Sequence, residues 1–203
     1  MFLRLAKTFS IIIFLTALTL SCGSRDLSGD NYTKLLHGCI EDSEIQQLDQ
    51  LFSFFEQRMQ SKYNCKNTKE CLLRYVYETA EGNYYDEKMS ITEEEKKLIK
   101  QYIASRDFAE HWLTFEKDSI NDVRFFPKFV YKDCYVKPDA KLSSLFRSMG
   151  LMGSIPHPHE IAFGFIDMLE EGTKLDDSIG LSIFIYVYLF ELFNWQIENI
   201  DVG

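Results

Sequence analysis

Ile179-Gly-Leu-Ser-Ile-Phe-Ile-Tyr-Val-Tyr-Leu-Phe-Glu-Leu-Phe-Asn-Trp195 is apolar on nearly every face of a helix for 17 residues. A helix of that kind must be buried, either in a domain core or in a bilayer. A span needs about 20 apolar residues without a charge and usually a basic flank. This segment contains Glu191 and Asn194 and runs into Glu198-Asn-Ile-Asp-Val-Gly. It is therefore expected to be the central core helix of a helical domain, over 179–197, with Glu191 on that helix's exposed edge.

Shorter amphipathic helices are expected to wrap it. Ser43 and Gln46 form a capping-box pair ahead of the stripe Ile45, Leu48, Phe52, Phe55 and Met59, which predicts a helix over 43–62. Leu72, Tyr75, Val76 and Thr79 predict a second over 68–81, stopped by Gly82. Thr92 with Glu95 caps a third, whose Glu93-Glu94-Glu95 start and following Lys96 and Lys97 suit the helix dipole. Phe108, Trp112 and Phe115 extend the helical reading over 106–117.

Between Val123 and Val136 the pattern is aromatic and β-branched and holds Pro127, so an extended connector or short hairpin pinned by Cys134 is expected. Helical spacing returns with Leu142, Leu145, Phe146 and Met149 before Gly150. It returns again with Ile161, Ala162, Phe165, Ile166 and Leu169 behind Pro158, ending at Gly172.

The start of the chain addresses the compartment. Arg4 and Lys7 precede the uncharged run Thr8 to Leu20, the basic and apolar regions of a secretory signal. Leu18-Thr19-Leu20-Ser21-Cys22-Gly23 follows, and it resembles the lipobox of bacterial lipoproteins, in which a small residue precedes the cysteine that is acylated before cleavage. Thr19 stands where that pattern usually has leucine, with leucines on both sides of it. The resemblance implies a lipid on Cys22 and a membrane anchor, since several acyl chains hold firmly where one is marginal. Residues 1–21 contain two cations and no acid, so their removal moves the formal net charge from −9 to −11. Such an acidic surface repels polyphosphate, and nucleic acid is set aside as a partner.

Four cysteines remain beyond Cys22: Cys39, Cys65, Cys71 and Cys134. An even count in an exported chain reads as two disulfides with three possible connectivities. Cys65 with Cys71 is the preferred pair, because a turn before a helix can fold back on the helix's first turn. Cys39 is then left with Cys134, closing a loop near 100 residues that contributes on the order of 4 kcal/mol. Against pairing stands Cys39 or Cys134 as a nucleophile beside His37 or His111, which an oxidising compartment disfavours.

His157-Pro158-His159-Glu160 is the local cluster with metal-ligand character. Its place at a helix N-terminus disfavours imidazolium and keeps the rings able to coordinate. Two imidazoles do not complete a site, and His37 and His111 sit in no metal motif, so neither a metal nor a cofactor is expected. Glu170, Glu171, Asp176 and Asp177 read as a solvated helix end and the cap that follows. No GxSxG, HExxH, CxxC or glycine-rich phosphate loop is present.

The fold class expected is mainly α, one compact domain of six or seven helices around the apolar C-terminal helix, stapled by disulfides. It occupies 35–203, behind a signal peptide at 1–21 and a lipidated tether at 22–34. Lacking a catalytic constellation, the chain is read as a lipid-anchored envelope protein, facing the periplasm or exterior, that binds another protein. A basic partner suits its charge, as for an immunity or inhibitor lipoprotein. The competing readings are a lipid-anchored hydrolase or metal-dependent enzyme using His157, His159 and Glu160, and a structural envelope protein.

Overall fold

A computed structural model describes residues 32–82, 91–116, 123–128, 130–137, 140–151 and 156–196. The signal peptide, Cys22 and most of the tether lie outside the described residues. After a 3₁₀ turn at Tyr32–Leu36 come α1 (Asp42–Tyr63), α2 (Thr68–Ala80), α3 (Glu93–Ile103) and α4 (Arg106–His111). The strands β1 (Trp112–Glu116) and β2 (Val123–Pro127) then pair antiparallel, with Leu113 opposite Phe126 and Thr114 opposite Phe125. They are followed by α5 (Val130–Tyr135), α6 (Lys141–Leu151) and α7 (Pro158–Glu170). The last helix, α8, starts as Asp177–Ile183 and continues through π-helical turns at Phe184–Leu189 and Leu192–Gln196.

The chain is therefore mainly helical, and α8 is its core. Asp177–Asn194 is long and apolar enough to cross a membrane, yet 83% of that window is buried inside the domain. Ile183, Phe184, Tyr186, Tyr188 and Leu189 are fully enclosed. Helices α2 and α7 pack along each other, α1 lies against α2 and α3, and the 3₁₀ turn closes over the start of α8. Tyr32 and Thr33, assigned by sequence to the tether, are buried. A Cβ on Gly180 would sit 2.5 Å from Tyr32 Cε1, so the close approach of turn and helix depends on glycine at that position.

Several caps are as the sequence implies. Thr92 Oγ1 accepts the Glu95 N–H at 3.2 Å, Asp176 Oδ1 accepts that of Ile179 at 3.0 Å, and Pro158 opens α7. The first helix departs from expectation: it begins at Asp42, not behind a Ser43 cap. Extended Glu41 takes the cap position, its carbonyl accepting the N–H groups of Glu44 and Ile45, while the Ser43 hydroxyl turns toward Asp107.

The helix expected over 106–117 ends at His111. Trp112 adopts extended backbone, and it is 2% exposed where its neighbour Leu113 is 40% exposed, the two-residue alternation of a strand. The partner strand is held from α8, because Asn194 accepts the Phe125 N–H and donates to the Phe125 carbonyl, each at 2.8 Å. The connector expected to be extended to residue 136 becomes α5 instead. Tyr131 points inward with no exposure, Tyr135 meets Ser182 at 2.9 Å, and Cys134 is bridged to Cys39. These tertiary contacts override local β preference.

Both disulfides join the preferred pairs, with Cα separations of 5.7 Å for Cys39–Cys134 and 5.5 Å for Cys65–Cys71. Glu191 is the largest departure. It has no exposure, and its Oε2 accepts the Tyr75 hydroxyl at 2.8 Å. An all-apolar helix carries no hydrophobic stripe that could orient a single polar residue, and α8 is enclosed all round.

Candidate functional site

Burying a carboxylate costs several kcal/mol unless hydrogen bonds replace its water, so the buried acids are where the fold has been built around polar groups. Glu44 of α1 is one of them, with no exposure. Its Oε1 accepts the hydroxyls of Tyr102 at 2.8 Å and Tyr131 at 2.6 Å, and its Oε2 lies 2.6 Å from His111 Nδ1. The Trp112 indole N–H closes the network on the two phenol oxygens, at 3.1 and 3.2 Å. One carboxylate thus gathers α1, α3, α5 and the junction of α4 with β1. Burial first, and then the Glu44 charge, hold the Tyr102 phenol far above its ordinary range. Burial, followed by Tyr102 and Glu44, does the same to Tyr131. Both rings therefore act only as neutral donors.

A second network crosses the other end of α1. Arg58 donates to the Tyr188 hydroxyl and to Glu95 Oε2, tying α1 to α8 and to the first turn of α3. Glu95 is 1% exposed, and its Oε1 is buried without a hydrogen-bond partner among the described residues. The Tyr188 ring lies 5.8 Å from that of Tyr75, whose hydroxyl reaches Glu191. Two carboxylates and one guanidinium are held on the same tyrosine pair, inside the bundle.

The residues singled out by sequence are distributed differently. Cys39 and Cys134 are bonded to each other and so are not nucleophiles; exposed His37 lies 3.5 Å from Asp42, and His111 turns to Glu44. His157 and His159 are brought together, their Nδ1 atoms 2.8 Å apart. Glu160 turns away from the rings, its Oε2 accepting the His157 backbone N–H at 2.7 Å. Among the described residues no group of three or more His, Cys, Asp or Glu side chains is placed to hold a metal ion. The acids of the α7–α8 link are at the surface, with Glu171 paired to Lys141 at 2.9 Å and Asp176 capping α8.

A cleft of about 240 Å³ opens beside that link, walled by Tyr135, Val136, Ala140, Leu142, Met168 and Ile179. It falls below the roughly 300–1,000 Å³ of small-molecule sites.

Glu44, Arg58 and Glu95 carry the buried networks, and sequence reasoning passed over all three as ordinary polar positions of amphipathic helices. Their partners lie 58, 130 and 37 residues away for Tyr102, Tyr188 and Arg58 respectively, so no local spacing signals them. No protein-family model, no curated protein and no solved structure matches the chain.

Proposed function

We propose that this protein is a lipid-anchored component of a bacterial envelope that acts by binding another protein through its acidic exterior. One observation supports the reading: the reactive side chains of the described residues close on one another and hold the scaffold. Glu44 uses both oxygens on Tyr102, Tyr131 and His111; Arg58 joins Tyr188 to Glu95; the four cysteines form two bridges. Five connected elements and two staples make a rigid body, which lowers the ordering cost of a protein interface. Its exterior carries exposed carboxylates such as Glu41, Glu93, Glu94, Glu110 and Asp167. At a formal charge of −11 for residues 22–203, that exterior would steer a basic partner.

The test has two stages. Cys22→Ser, expressed in the native host, should leave the membrane and stay soluble after a high-salt wash. That released protein is then used as bait on the envelope fraction. A basic protein that rebinds after purification, with association slowing steeply as salt is raised, supports the reading. Persistent membrane association of the variant overturns the anchor, and a partner whose association is indifferent to salt overturns the electrostatic basis.

A further inference from the structure

The paired imidazoles of His157 and His159 have no part in that reading. Residues two apart in a helix face different directions, yet these rings meet, because only His159 belongs to the helix. His157 is the residue before it, extended at φ −76° and ψ 149°, and its ring swings back over the first turn. Pro158 between them fixes the backbone at the first helical position. Glu160 Oε2 holds the His157 N–H at 2.7 Å, and the Phe163 ring stands 6.4 Å from that of His159. Both imidazoles are half-buried, so their facing is set by the fold.

Two Nδ1 atoms at 2.8 Å share a single proton, one ring donating and the other accepting. A metal ion can take that proton's place. Each neutral ring then carries its one hydrogen on Nε2 and turns its Nδ1 lone pair to the ion, with no net release of protons. Two nitrogens each ~2.0 Å from an ion are ~2.8 Å apart at ~90° and ~3.3 Å apart at the tetrahedral angle. The observed separation matches adjacent corners of a square-planar or octahedral ion better than an edge of tetrahedral zinc.

We propose that His157 and His159 form a two-nitrogen chelate for copper(II), through Nδ1 of each ring, with nickel(II) the weaker alternative. Copper stands highest among divalent first-row ions on imidazole ligands, and its tetragonal geometry fits the right-angled pair. Water or a ligand brought by a partner fills the remaining positions. Exposed Glu160, fixed on the adjoining backbone, adds negative charge beside the ion.

The purified full-length protein is titrated with copper(II) sulfate alone and followed by pulsed electron paramagnetic resonance and by NMR. One equivalent should bind with the modulation of two imidazoles, and amide signals should broaden around residues 157–163. His157→Ala and His159→Ala should each leave one imidazole in the spectrum and weaken binding about tenfold or more, while His37→Ala changes neither. Should an alanine variant fail to fold, the broadening map of the unmodified protein decides by itself. Broadening centred elsewhere, a two-imidazole spectrum that survives either substitution, or no stoichiometric copper overturns the proposal.

Discussion

Tyr75 donates its hydroxyl to Glu191 across 2.8 Å, and neither side chain has any exposure. The one acid of the core helix is thus met by a residue 116 positions earlier in the chain, on α2. A buried polar pair of this kind fixes the rotation of an apolar helix: any other setting strands both the carboxylate and the phenol away from water.

Glu191→Ala is therefore expected to cost ~2–4 kcal/mol, approaching the ~3–5 kcal/mol of Phe190→Ala, because it leaves a cavity and an unpaired Tyr75 hydroxyl. Glu191→Gln keeps an acceptor and should cost well under half as much. Urea unfolding of the three variants and of Tyr75→Phe gives the comparison, and a cycle combining Glu191→Ala with Tyr75→Phe should show coupling above ~1 kcal/mol. A loss for Glu191→Ala within about 0.5 kcal/mol would return the residue to a surface position.

The same pair marks how far sequence reading reaches. The apolar run at 179–195 dictates burial because nothing else can satisfy it, and spacing at 45, 48, 52, 55 and 59 places α1, each of those residues being buried. Cysteine pairing follows from count and turn geometry. What fails is rotation and length. Glu191 has no apolar stripe opposite it to set its side, and Glu44 lies beside Ile45 where an amphipathic reading makes it a solvated first-turn acid. Phe108, Trp112 and Phe115 fit a helix by spacing, but the hairpin pairing that turns Trp112 to strand is a contact with residue 127, beyond any local window. His157 and His159 were visible as types; their meeting depends on one lying outside the helix.

Gly180 tests the closure of the 3₁₀ turn on α8. Gly180→Ala improves helix propensity yet places a methyl group 2.5 Å from Tyr32 Cε1. A net loss of ~1–3 kcal/mol is expected, the cost of overpacking exceeding the propensity gain. Tyr32→Ala opens the space at its own cost, and adding Gly180→Ala to it should be neutral or stabilising. A thermal midpoint of the double variant well below that of Tyr32→Ala would contradict the contact.

The two bridges constrain unequal loops. Cys39–Cys134 spans 95 residues and Cys65–Cys71 spans 6. On chain entropy the first contributes ~4–5 kcal/mol and the second ~2 kcal/mol. Cys39→Ala/Cys134→Ala should accordingly lower the urea midpoint more than Cys65→Ala/Cys71→Ala, although the latter also leaves a small gap around two buried positions. Equal or reversed losses would mean that the unfolded chain holds the long loop closed without its bridge.

Alkaline pH reads the polar interior directly. Burial is the first cause raising the phenols of Tyr102, Tyr131, Tyr135, Tyr186 and Tyr188, with the Glu44 charge adding to it at the first two and Arg58 opposing it at Tyr188. Folded protein keeps these protons above pH ~10, where unfolded chain begins to release them. Above that point the unfolded state binds fewer protons, so the unfolding free energy must fall as pH rises, by up to about 1.4 kcal/mol per pH unit for each tyrosine. Below it these groups contribute no slope. Phenolate absorbance and circular dichroism recorded together should show the buried tyrosines ionising in the same cooperative transition that loses helix. In Tyr186→Phe, which removes the hydroxyl bonded to the Lys128 carbonyl at 3.0 Å, the fall of the urea midpoint with pH should be shallower by one tyrosine's share. Ionisation of all five while the helical signal persists would mean that water reaches the Glu44 and Arg58 networks, and that the core is not sealed.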